Sequence, residues 1–224
     1  MPRIARVIAA EYPHHITQRG NNRADVFFDD EDKEYYLQTL KKYGEKYHVK
    51  IWAYCLIANH VHILAVPEYE ESLAWCVGRT NLLYTQYVNR KYKRSGRLWQ
   101  NRFFSTIVEA ESYLWAVVRY IEKNPMKSKL VKKPEDYKWS SCKSNISGES
   151  NGQLSEQGWL DEKDRDTYRQ FLMQQDPETE QKIRHATSTG RPLGSEGFMK
   201  KLELKLLRRI LPGKAGRPKK DKVE

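Results

Sequence analysis

Residues 49–57, VKIWAYCLI, and residues 60–66, HVHILAV, are two apolar, β-rich runs separated only by Ala58 and Asn59. So short a link leaves room for nothing but a tight turn, and the pair is expected to form an antiparallel hairpin. Side chains alternate between faces along a strand, so His60 and His62 point the same way. Two neutral imidazoles on one face make half of a metal site, and the remaining ligands must come from elsewhere in the chain.

The segments around the hairpin define the topology. HHITQR (14–19) reads as a short strand, and the GNNR after it as a turn in which Gly20, Asn21 and Asn22 tolerate positive φ. Residues 27–47 begin with acids and end with bases, as a helix dipole favours, and carry an apolar stripe of Tyr36, Leu37, Leu40 and Tyr43. Ser72 is placed to cap a helix that runs to about Tyr92. RSGR (94–97) breaks it, RFFSTIVE (102–109) supplies a fourth strand, and a last helix runs from Ala110 to Asn124, where Pro125 ends it. The first six elements follow the split βαββαβ order of ferredoxin-like (RRM-like) folds. The expected class is α+β: an antiparallel sheet with helices on one face, the further helix, and a basic C-terminal extension.

Composition divides the chain into 1–143, an acidic linker with one helix at 144–189, and a basic helix and tail at 190–224. Residues 144–189 hold nine acids and five bases, whereas 190–224 hold eleven bases and four acids, so a net +7 of the total +11 lies in the last segment. That segment contains a basic amphipathic stretch, 196–211, and two Gly-Arg-Pro triplets, at 190–192 and 216–218. A cationic chain of this kind is expected to meet a polyanion such as nucleic acid. No apolar run reaches the roughly 18–20 residues of a membrane span. The N-terminus has no secretory pattern, and Cys55, Cys76 and Cys142 offer neither a disulfide frame nor a Cys-x-x-Cys site. A cytoplasmic protein is expected.

A second constellation lies in RYIEKNP (119–125). Tyr120 and Asn124 are four apart, one above the other at the edge of the stripe Leu114, Val117, Val118 and Ile121. Taken singly, Tyr120 could be a packing residue and Asn124 a helix cap. Arg19, Arg23, Arg79, Arg90, Lys91, Lys93, Arg94, Arg97 and Arg102 interleave with Tyr84, Tyr87, Tyr92 and Trp99, a mixture suited to a single strand or hairpin. The closing Gly-Arg-Pro-Lys, with Arg217 and Lys219, is similar to a minor-groove hook. Asp29, Asp30, Asp32, Asp164 and Asp166 fall at helix starts and are read as structural. His14, His15, His48 and His185 are unassigned, although His15, on the first strand, could approach the site.

ANHVHILAVP resembles the histidine-hydrophobe-histidine (HUH) motif of the insertion-sequence-200-like single-tyrosine transposases, and RYIEKNP resembles their tyrosine helix. More narrowly, HHITQRGNNR, FFDDEDKEYYL, AYCLIANHVHIL, TQYVNRKYKRSGRLWQNRF, RYIEKNPMKSKLV and PEDYKWSS, in that order, are similar to the REP-associated tyrosine transposases. The likeness runs to about Ser141 and departs at Ala58, where Gly or Pro is common, and at His14, where an aromatic residue is common. It implies a transposase domain over 1–143 that cuts single-stranded DNA near hairpin-forming repeats. Tyr120 would be the nucleophile of a 5′-phosphotyrosine intermediate. His60, His62 and Asn124 would hold Mg2+ or Mn2+. Arg19, Arg23, Arg90, Arg94, Arg97, Arg102, Arg217 and Lys219 are the candidate DNA contacts.

Two other readings compete. A binding module on the same sheet would need none of His60, His62, Tyr120 and Asn124 together. A metallohydrolase would need further His or carboxylate ligands, and no obvious set is present. Whether the chain works as a monomer or a homodimer, and whether Tyr120 serves its own histidines, is left open by the sequence.

Overall fold

The computed structural model describes residues 6–155 and 159–210. Its centre is one four-stranded antiparallel sheet of β1 (His14–Arg19), β2 (Val49–Ile57), β3 (His60–Pro67) and β4 (Phe104–Ile107), in the order β2-β3-β1-β4. With α1 (Asp30–Lys46) between β1 and β2 and α2 (Ser72–Lys91) between β3 and β4, this is the expected split βαββαβ topology.

Alternation divides the sheet cleanly. Ile16, Val61 and Ile63 face one way and pack with Tyr36, Leu37 and Leu40 of α1 and Leu73, Val77 and Tyr84 of α2. In β2 the register shifts between Ile51 and Ala53. One extra residue there inverts the later side chains, so Ile51 belongs to the first core while Ala53 and Cys55 belong to the second.

The expected layer of α1 and α2 covers one face, and the second core covers the other with the further helix and later elements. Opposite α1 and α2 lie α3 (Ala110–Glu122), α5 (Cys142–Ser147), α6 (Arg165–Met173) and α7 (Pro177–Thr189), which together bury Leu64, Val117, Val118, Ile121, Tyr168, Leu172 and Ile183. The α3 stripe is fully used, each such side chain contributing about 1.5–3 kcal/mol on burial. The segment expected as an acidic linker with one helix therefore holds two packed helices, α6 and α7. Its acids start them: Asp176 caps α7 by accepting from the Thr179 amide, with Glu178 and Glu180 in the first turn. The basic helix is α8 (Glu196–Leu206), which ends before the expected boundary because Leu207 turns left-handed at φ 47°. Its Phe198 and Leu202 pack on Val7, Ala9 and Ile107.

Three local expectations also change. Pro125 does not end the helical path: α3 stops at Glu122, and a short α4 (Asn124–Lys127) starts afresh with proline in its first turn, where the missing N–H costs nothing. Glu71, not Ser72, is the N-cap of α2, and the Ser72 hydroxyl accepts from the Tyr69 amide. In the turn after β1 the positive φ values fall on Asn22 and Arg23. Gly20 is extended and is needed for space, because a Cβ there would lie 2.1 Å from the carbonyl oxygen of Ala24.

Candidate active site

Strand pairing assembles the site. His62 faces Thr17 across β1–β3, His60 faces Arg19, and His15 faces Leu64, two residues along from His62. All six side chains lie on the sheet face covered by α3 and α7. The Tyr120 ring stands edge-on to His62 and His15, with centroids 5.7 and 5.8 Å away. Asn124 follows one turn later and its amide donates to the Tyr120 carbonyl at 2.7 Å, which turns its Oδ1 away from the helix. Tyr120 thus lies beside the histidines of its own chain. Thr17, His60, His62, Tyr120 and Asn124 line a cavity of about 480 Å³, whose wall also includes Arg19, Gln100, Asn101, Phe104, Arg184 and Thr187.

The hydrogen bonds give the imidazoles a direction. His60 Nδ1 donates to Asn59 Oδ1 at 2.6 Å, while the amide nitrogen of Asn59 donates to the Arg23 carbonyl. His62 Nδ1 is 2.9 Å from His15 Nε2. Each member of the pair is therefore tied back through Nδ1, leaving Nε2 for the cavity. Burial lowers the pKa of His60 to about 4 and that of His62 well below the usual histidine range, with Arg19 acting in the same direction on both. Neutral imidazoles are the form a cation binds. Among the described residues no three His, Cys, Asp or Glu side chains form a metal cage. The donor set that does converge is two imidazole nitrogens and one amide oxygen, which suits a divalent ion that shares its shell with phosphate oxygens and water.

Burial raises the pKa of the Tyr120 hydroxyl, and the positive charge and hydrogen bond of Arg184 oppose that rise. Lys127 sits over the ring at 4.4 Å. Glu180 of α7 holds both cations, Lys127 at 2.8 Å and Arg184 at 3.8 Å.

The basic residues sort less uniformly. Arg19 lines the cavity, and Arg23, Arg90, Arg94, Arg97 and Arg102 are exposed. Arg94 lies 5.6 Å over the half-exposed ring of Phe28, an aromatic the sequence pattern did not single out. Lys91 is no phosphate ligand: Asp29, Glu31 and Asp32 all lie within 2.9 Å of its ammonium. Tyr84 and Trp99 are core residues rather than stacking platforms. Arg217 and Lys219 lie outside the described residues. Sequence reasoning missed Arg184 and Thr187 of α7, whose spacing carries no signature, and left His15 without a role.

The family profile described as "Transposase IS200 like" matches residues 9–124. A Haemophilus influenzae protein provisionally named a REP-associated tyrosine transposase is 23% identical over 158 residues, covering 62% of this chain and 89% of that protein. Among solved structures, a REP-associated tyrosine transposase bound to a REP hairpin superposes with a TM-score of 0.57 at 18% identity, covering 69% of this chain and 89% of the other. No helix among the described residues is long and apolar enough to cross a membrane.

Proposed function

The chain belongs to the IS200-like transposase family, and from that premise we propose that it cuts and rejoins single-stranded DNA beside hairpin-forming repeats, with Tyr120 as nucleophile. The observation that carries this reading is the meeting of Tyr120 of α3, Asn124 of α4, and His60 and His62 of β3 in one cavity, although Tyr120 and His60 are 60 residues apart in sequence. In the reaction Tyr120 Oη attacks phosphorus, the bond to the 3′ oxygen breaks, and a 5′-phosphotyrosine and a 3′-OH result. The phenolic proton passes to solvent and the departing 3′ oxygen gains one. Attack of a 3′-OH on the phosphotyrosine reverses the step, so the phosphodiester energy is kept without ATP.

His60, His62 and Asn124 would hold Mg2+ or Mn2+, which when bound supplies Lewis-acid charge to the phosphoryl oxygens. Arg184 supports the developing phenolate and Arg19 the incoming phosphate, since both lie in the cavity wall. Arg23, Arg94, Arg97 and Arg102, with Phe28 as a base platform, would hold the strand leading to the hairpin. Hairpin DNA as substrate rests on the bound hairpin of the similar solved structure.

The test is incubation with end-labelled single-stranded hairpin DNA and Mn2+, followed by a denaturing gel. A labelled band that co-migrates with protein and vanishes on proteolysis supports the reading. Tight hairpin binding without such a band would leave a non-catalytic binding module instead.

A further inference from the structure

The hydrogen bonds around His62 can be followed outward, and each link fixes the next. Thr187 of α7 donates its only hydroxyl proton to the Ile183 carbonyl at 2.8 Å. Its oxygen is thereby left as an acceptor for His15 Nδ1, 3.1 Å away. His15 is 1% exposed, and its hydrogen bonds include no carboxylate that would favour a second ring proton. With its proton on Nδ1, its Nε2 carries a lone pair and accepts from His62 Nδ1 at 2.9 Å. His62 must then hold its proton on Nδ1 and present an Nε2 lone pair to the cavity. The two ring centroids lie 5.2 Å apart with the planes 13° from parallel, a separation that fits a bond from ring edge to ring edge.

The opposite polarity has the opposite consequence. Were Thr187 to donate to His15 Nδ1, the chain would reverse and His62 would point an N–H at the cavity. An N–H repels a cation, so the direction of this relay decides whether His62 can be a ligand at all.

We propose that His15, anchored by Thr187, is a positioning residue that locks His62 in its metal-binding tautomer, so that metal affinity depends on α7. This rests on the reading of His62 as a ligand. It makes α7, which lies beyond the matched residues 9–124, part of the site. A ligating histidine whose other nitrogen is held in this way is fixed in ring orientation as well as tautomer, and loss of the holder typically costs about 10–100-fold in affinity.

Two measurements on the full chain, without DNA, test the proposal. In the metal-free wild type, 15N-imidazole NMR should show His62 protonated on Nδ1. Titration with Mn2+, followed by the EPR signal of free ion, should show His15→Leu weakened by about 10–100-fold. His15→Gln, whose carboxamide oxygen can accept from His62 Nδ1, should stay within a few-fold of wild type. Thr187→Val should lie between the two, and circular dichroism will report whether each variant is folded. The Gln variant keeps the comparison meaningful if the Leu variant is unstable. His62 protonated on Nε2, or a folded His15→Leu with wild-type Mn2+ affinity, overturns the proposal. Wild type that binds no Mn2+ would instead defeat the metal reading itself, while the NMR tautomer still decides the direction of the relay.

Discussion

Glu122, two residues after Tyr120, is a fully buried carboxylate that fastens the nucleophile's helix to the rest of the second core. Its Oε1 accepts from Ser141 Oγ and Asn145 Nδ2, both at 2.7 Å, and its Oε2 accepts from Tyr168 Oη at 2.8 Å. Glu122→Ala would strand three buried donors. At about 1–3 kcal/mol for each unsatisfied group, the loss should be at least about 3 kcal/mol, a large part of a domain's typical stability of about 5–15 kcal/mol. Glu122→Gln should cost less, because the amide oxygen keeps Ser141 and Asn145 and only the Tyr168 hydroxyl proton loses its acceptor. The two variants also separate charge from hydrogen bonding. Burial raises the Glu122 pKa, against the hydrogen bonds from Ser141, Tyr168, Asn145 and Cys142 that lower it. A carboxyl raised in the folded state contributes stability that is complete below its unfolded value and is lost as pH rises through the folded value. Glutamine has no such loss, so the gap between wild type and Glu122→Gln should narrow as pH is raised from acidic toward neutral and beyond. Urea unfolding at several pH values, followed by tryptophan fluorescence, measures this; Trp115 and Trp159 both touch Tyr168. A gap that widens with pH, or an alanine variant within about 1 kcal/mol of wild type, would refute the reasoning.

His60→Ala and His62→Ala should each abolish cleavage in Mn2+ while leaving hairpin binding measurable by fluorescence anisotropy, and excess chelator should do the same to wild type. Lys91→Ala should lower Tm in a thermal melt, because Asp32, at 0% exposure, loses its cation; hairpin affinity should not change. Deletion of residues 211–224, which carry five bases and two acids, should weaken hairpin binding. The slope of log affinity against log salt should fall by at most about 4.5 if every base contacts a phosphate, with single-turnover cleavage at saturating DNA unchanged. A longer deletion from residue 190 would also remove Phe198 and Leu202 from their packing against Val7 and Ile107, and so confound binding with folding.

The sheet was legible because its signals are local. Alternation in HVHILAV and the two-residue link before it place His60 and His62 on one face of a hairpin, and a single i, i+4 spacing brings Asn124 under Tyr120. What could not be read locally is register and docking. Nothing within HHITQR says that His15 will fall diagonal to His62, since that depends on which β1 residue pairs with Leu64. The register shift at Trp52, which aims Ala53 and Cys55 at the second core, is equally a property of the pairing. Residues 144–189 look like a linker because acids dominate them, yet those acids start helices, and Tyr168, Leu172 and Ile183 are enough to fasten α6 and α7 in place. Arg184 and Thr187 reach the cavity only through that docking. Lys91 shows the converse: in sequence it belongs to a basic run, and in space three carboxylates claim it.

The central claim is that Tyr120 makes the covalent bond to DNA. The direct measurement is mass spectrometry of the adduct formed with hairpin DNA and Mn2+, after digestion of protein and nucleic acid. The account predicts that the nucleotide-bearing peptide contains Tyr120, and that Tyr120→Phe, which removes one oxygen and keeps the ring against His62 and His15, binds the hairpin but forms no adduct. A nucleotide on Tyr113 or any other tyrosine, or an adduct that survives in Tyr120→Phe, would contradict it.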